Sequence, residues 1–229
     1  MKIYTNEKLI NRNRRIGQVT TISSLAVLAL GLFLSFQGSS QLITYSFLAL
    51  ILGFILSQVG IYMGNRFGRR PRLDESIDAA LKGLDDKYSL IHYGTPVSHL
   101  LLGPAGIWVV LPYPQSGTIT YQKNRWRQKG GNFYLKLFAQ EGLGRPDLEV
   151  ASNTADLERF LEKTSPEAEF PPIQTVLVFT NEKVTIDVED APTSTLPIKK
   201  LKDFIRKTAK ETPASMDKIN AVTGLFTQE

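Results

Sequence analysis

From Ile16 to Asn65 the chain carries no charged side chain, and almost every Lys, Arg, Asp and Glu lies outside that window. No soluble fold needs so long an uncharged run, whereas two membrane spans do. Residues 16–36 and 42–64 each supply roughly the 20 apolar positions that cross a hydrocarbon core as a helix. Between them stands Gln37-Gly38-Ser39-Ser40-Gln41, a polar, uncharged turn suited to a tight helical hairpin. A cleaved signal peptide would have neither this length nor a second span. With no acidic or basic residue inside either span, the pattern argues against ion pathways and proton relays. The hairpin reads as an anchor.

The flanks set the expected orientation. Lys2, Lys8, Arg12, Arg14 and Arg15 precede the window, and Arg66, Arg69, Arg70 and Arg72 follow it. Basic flanks stay cytoplasmic, so the expectation is a multi-pass cell-membrane protein with both termini and its folded domain in the cytoplasm. Much of the net charge of +5 is then topological. Small residues four apart (Gly53/Ser57, Gly60/Gly64 and Gly31/Ser35) would let helices approach closely, within the hairpin or between copies. The expected organisation is a basic N-terminus at 1–15, the hairpin at 16–64, a basic linker at 65–73, a domain at 74–210 and a frayed tail at 211–229.

Outside the window lie about 160 residues, enough for one domain with a sizeable core. There is no cysteine, which removes disulfides, thiolate metal sites and a cysteine nucleophile; the two histidines are too few for a multi-histidine zinc site. Residues 74–84 place Ile77, Leu81 and Leu84 at helical spacing behind an acidic first turn. Short β-type runs follow at 88–93, 99–102, 106–110 and 117–122, then a turn at 123–125 with Trp126 beginning the return. Residues 147–163 form a second amphipathic helix, 175–180 a continuous apolar strand of the doubly covered kind, 183–188 one more strand and 199–209 a closing helix. The order predicts an α/β domain with a mixed sheet.

The run His99-Leu100-Leu101-Leu102-Gly103-Pro104-Ala105-Gly106-Ile107-Trp108-Val109-Val110, followed by Ser116-Gly117-Thr118-Ile119, resembles the NERD (nuclease-related domain) family. The family pattern is roughly Asp-His, three apolar residues, Gly-Pro-x-Gly-Ile-Phe-Val-Ile, Glu-x-Lys-Asn, then Ser-Gly-x-Ile, and it fits without a gap. Glu75, the Gly144-Arg145-Pro146 turn and Val176-Leu177-Val178-Phe179 fall in the expected order, so the resemblance covers about residues 70 to 207. It implies a restriction-endonuclease-like fold. There an Asp and the Glu of a Glu-x-Lys pair hold a divalent cation that activates water against a phosphodiester, and the Lys stabilises developing charge.

In this chain the Asp position is Ser98, the Glu position Leu111 and the Lys position Tyr113. Pro112 and Pro114 bracket Tyr113, and proline removes ladder hydrogen bonds, so the strand end is expected to follow another path. The leading expectation is a catalytically silent, membrane-anchored module that binds or scaffolds, with no catalytic residues, metal ligands or cofactor. The alternative is an active Mg²⁺-dependent nuclease with a relocated site, for which Glu75, Asp85, Asp86 and Glu141 are the nearby carboxylates. A third possibility is a domain that assembles with itself or a protein partner. His99 reads as a structural residue. Lys123, Arg125, Arg127 and Lys129 around Trp126 form a basic, aromatic-interleaved stretch that could contact nucleic acid, although a hairpin turning at Asn124 would not put them on one face.

Overall fold

The computed structural model describes residues 1–131 and 142–227, and the chain divides into two compact units. One is Glu7–Arg72; the other combines Met1–Asn6 with the chain from Leu73 onward.

The first unit is a pair of helices, α1 (Glu7–Ser35) and α2 (Ser40–Met63), extended by a π-helical turn at Gly64–Gly68. Both are long and apolar enough to cross a membrane. At 1.5 Å per residue, α1 is about 43 Å long, more than the roughly 30 Å of a hydrocarbon core. Its first turns, with Lys8, Arg12, Arg14 and Arg15, therefore exceed the span read from hydropathy. Gly38, at φ +70°, reverses the chain.

The buried residues of this pair are unusual in size and regular in spacing. In α1 they are Ile10, Gly17, Ser24 and Gly31; in α2, Ser46, Gly53 and Gly60. Each set repeats every seven residues, the period that keeps one seam facing a partner helix. A Cβ at Gly53 would come within 2.6 Å of Leu28, so only glycine permits this approach. Ser46 Oγ donates to the Gly31 carbonyl at 2.6 Å, tying the helices across the seam. The four-residue pairing read from the sequence is thus corrected. Gly31, Gly53 and Gly60 are on the seam, but Ser35 is exposed, Ser57 bonds within its own helix to Phe54, and Gly64 has open space beside it.

The second unit holds two sheets. The larger has the order β1-β2-β3-β4-β7-β9, with strands Lys2–Thr5, Ser89–His92, His99–Gly103, Gly106–Tyr113, Ile173–Phe179 and Ser194–Pro197. Strands β2, β3 and β4 are antiparallel neighbours, and β4, β7 and β9 run parallel; β1 adds parallel to β2, with Lys2 opposite Ser89. The smaller sheet has the order β6-β5-β8, with Arg125–Lys129, Gly117–Gln122 and Val184–Asp187.

Central strands β4 and β7 are apolar over residues 107–111 and 176–179, where both faces are covered. On one face Trp108 and Val110 pack with Ile77 and Leu81 of α3 (Leu73–Leu81) and Leu201 and Ile205 of α5 (Leu201–Glu211). On the other, Val109, Leu111 and Tyr113 pack with Leu157 and Leu161 of α4 (Pro146–Thr164), Ile119 of β5, and Ile219 and Val222 of α6 (Met216–Thr227). Each such side chain contributes about 1.5–3 kcal/mol on burial. The expected frayed tail is therefore a core helix, since Ile219 and Val222 repeat at helical spacing and are buried. The expected N-terminal basic segment likewise begins as a sheet strand.

Candidate functional site

The path of β4 decides the geometry. It continues through Pro112, with Pro112 opposite Val178 and Tyr113 opposite Phe179 of β7. Thr180 N–H donates to the Tyr113 carbonyl at 2.9 Å, so the polar groups of Tyr113 face β7. Neighbouring residues point to opposite edges, which turns the Pro112 nitrogen toward β3, where pairing has already ended at Leu100 opposite Val109. The proline removes no bond that was being made. The expected diversion of the strand end is thus corrected.

Extending the antiparallel register by two residues puts Ser98 opposite Leu111, in phase with Leu100 on the α4 face. Leu111 is buried there in the hydrophobic cluster. The Tyr113 ring stacks on Phe179 at 5.4 Å, and its hydroxyl donates to Glu149 Oε2 at 2.5 Å. Burial first, then the hydrogen bond and charge of Glu149 and the charge of Asp147, push the Tyr113 hydroxyl far above the usual phenol range. It stays a neutral donor.

Glu149 and Asp147 lie in the first turn of α4, a favoured place for acids at a helix N-terminus. Trp126 Nε1 donates to Asp147 Oδ1 at 2.6 Å and its ring lies on Tyr121 at 5.0 Å. Both carboxylates thus already accept from neutral side chains. Sequence reading missed Glu149, because its partner is 36 residues away.

The carboxylates singled out in the sequence sit elsewhere. Glu75 is on α3, which covers the opposite face of the sheet from Leu111 and Tyr113. Asp85 accepts from the Lys87 backbone N–H at 2.6 Å in the turn after α3. Asp86 accepts from the Met1 amine at 2.9 Å, and that bond, with the amine's charge, holds its carboxyl below the usual range. Glu141 lies outside the described residues. Among the described residues, no three His, Asp or Glu side chains converge as cation ligands. A hard divalent cation needs several oxygen ligands, and Ser98, Leu111 and Tyr113 do not form such a set.

His99 has a partner that sequence reading did not assign. His92 and His99, opposite one another on β2 and β3, meet Nδ1 to Nδ1 at 2.7 Å, and His92 Nε2 reaches Asp78 Oδ1 at 3.0 Å. Asp78 accepts from His92 Nε2, and one proton lies between the two Nδ1 atoms. Both rings are buried on the α3 face, away from Tyr113. They join two strands and a helix, which is a structural role.

The basic hairpin is better ordered than its sequence implied. Lys123 and Asn124, at φ +52° and +56°, make the two-residue turn, and β6 starts at Arg125. Trp126 and Gln128 alternate inward, so Arg125, Arg127 and Lys129 are exposed on one face, about 7 Å apart along the strand. The expectation that they would not line one face is corrected for these three; Lys123 is in the turn itself.

The chain matches no protein-family model, no curated protein and no solved structure.

Proposed function

We propose that this is a membrane-anchored protein whose NERD-like, restriction-endonuclease-like domain is catalytically silent and acts by binding or scaffolding on the cytoplasmic side. Tyr113 carries the reading. The position that should present a lysine to a phosphate holds a neutral hydroxyl, stacked in the core and spent on Glu149. Leu111 beside it offers a cation nothing.

The family reading is supported by the gap-free sequence run and by the element order. Helix α3, antiparallel β2-β3-β4, helix α4 and then β7 parallel to β4 bring positions 98, 111 and 113 to one sheet face. Anchoring is supported by the length of α1 and α2 and by the large apolar side chains they expose. A return of the hairpin to the side it left is supported by β1, because residues before and after the hairpin share one sheet. The basic flanks support the cytoplasm as that side.

Calorimetric titration of the full chain with Mg²⁺ and Mn²⁺ tests the silent site. The expected outcome is no saturable binding. A stoichiometric site abolished by Glu149→Ala would favour the rival, an active nuclease with relocated ligands. Topology is tested separately by reporters at Met1 and after Glu229, expected in the cytoplasm, and at Ser39, expected on the opposite side.

A further inference from the structure

The smaller sheet turns two different surfaces outward and inward. Inward go Ile119 and, partly buried against the same cluster, Trp126, Val184 and Ile186. Outward on β6 go Arg125, Arg127 and Lys129, with Lys123 at the tip. The register places Gln122, Thr120 and Thr118 of β5 beside those three cations, and Thr185 and Asp187 of β8 beyond. The face is cationic, with exposed Gln122 and Thr185 as neutral hydrogen-bonding groups, Thr120 buried within it, and Asp187 its one acid among the described strand residues. Among the described residues, none of the four basic side chains has an ion-pair partner. Some exposed cations elsewhere are paired, as Lys199 is with Glu182 at 2.8 Å and Lys218 with Glu169 at 2.9 Å.

We propose that this face docks on the anionic headgroups of the membrane that holds the hairpin, with Lys123, Arg125, Arg127 and Lys129 as its phosphate contacts. The proposal rests on the anchoring reading above. Two features favour a bilayer over a nucleic acid strand. Single-stranded nucleic acid is held by aromatic platforms as well as charge, and here Trp126 is turned inward and bonded to Asp147, leaving no ring on the cationic face among the described strand residues. Cations on alternate residues of one exposed strand also suit an extended anionic surface better than a groove. Tethering by the hairpin keeps headgroups at high effective concentration, so modest attraction suffices. Each basic residue near an anionic leaflet is worth about fivefold, and three about a hundredfold in the docked-to-undocked ratio.

The absence of native cysteine makes the test clean. A Gln122→Cys variant of the full chain carries a fluorophore on the face, and the protein is reconstituted into vesicles whose headgroups carry a quencher. One set is phosphatidylcholine alone; the other contains about a third phosphatidylserine. Flotation with both sets establishes anchoring, and failure to float overturns that reading instead of this one. Expected is strong quenching only with phosphatidylserine. It should disappear near 1 M salt, where screening shortens to about 3 Å, and with Arg125→Gln/Arg127→Gln/Lys129→Gln. It should persist with Lys163→Gln/Lys207→Gln/Lys210→Gln, which removes equal charge elsewhere. Quenching that ignores lipid charge, or survives the β6 substitutions in floated protein, overturns the proposal. So does a single-stranded oligonucleotide that binds the β6 face and displaces it from phosphatidylserine vesicles.

Discussion

Beyond Ile10 in its first turn, the hairpin's buried seam is glycine and serine, while phenylalanine, leucine and isoleucine face outward; Phe33 and Phe54 are each 60% exposed. In the α/β unit the order is reversed. Phe179, Leu177 and Ile107 are sealed inside, and Lys, Arg and Glu cover the outside. The contrast supports the anchoring reading proposed above, in which the two units meet different solvents. Where surroundings are apolar, large side chains gain nothing by turning inward, and helices associate through close backbone approach and interhelical hydrogen bonds such as Ser46 to Gly31. In water, burial of large side chains drives packing.

Substitutions of opposite kinds sharpen this comparison. The largest effect belongs to truncation inside the α/β unit. Leu177→Ala should cost about 2–5 kcal/mol, read by denaturant unfolding of the full chain. Both tryptophans, Trp108 and Trp126, lie in this unit, so their fluorescence follows it alone. In the hairpin the damaging change is enlargement. Gly53→Leu should force α1 and α2 apart at a cost of about 1–3 kcal/mol. The readout is disulfide formation in a Gly31→Cys/Ala49→Cys pair, where a Cβ at Gly31 lies 3.2 Å from that of Ala49; its rate should fall about tenfold or more.

Smaller effects test finer points. Tyr113→Phe should lower stability by only about 0.5–1.5 kcal/mol, because the exposed Glu149 regains water when the hydroxyl is lost. A much larger loss would mean that the Tyr113 hydroxyl is buried more consequentially than its partner's exposure indicates. Smallest is Phe54→Ala on the hairpin's outer surface, which should leave the disulfide rate unchanged. A marked slowing there would place Phe54 in a packed interface and break the comparison.

The sequence exposed what depends on runs and periods. The charge-free window, the apolar β4 and β7, and helices α3 and α4 were readable because each writes its environment into consecutive residues. What escaped depends on distant pairing. Strand β1 is four residues beside a basic flank, and its partner is β2, far along the chain. Helix α6 hid in the C-terminal stretch because only Ile219 and Val222 of its hydrophobic side chains are fully buried, while Met216, Leu225 and Phe226 pack partly buried against the core. The seven-residue seam was missed because small residues four apart are the more familiar pattern. At the candidate site, the resemblance alone placed Ser98, Leu111 and Tyr113 where it implies Asp, Glu and Lys. The replacement contact, Tyr113 to Glu149, required the fold. The strand's course was misjudged because proline is excluded from ladders only where its nitrogen faces a neighbour, and an isolated sequence does not reveal edges.

The reading proposed above makes this domain catalytically silent on the sheet face that carries Ser98, Leu111 and Tyr113. The most direct measurement incubates the purified, unmodified full chain with single- and double-stranded DNA and RNA, in Mg²⁺ or Mn²⁺, and follows strand cleavage. With Leu111 in the core and Tyr113 neutral and occupied, no metal-dependent cleavage should rise above that of a Tyr113→Phe preparation purified in parallel. Metal-dependent cleavage that co-purifies with the chain and is abolished by Glu149→Ala would contradict the account, placing a working site at the N-terminus of α4.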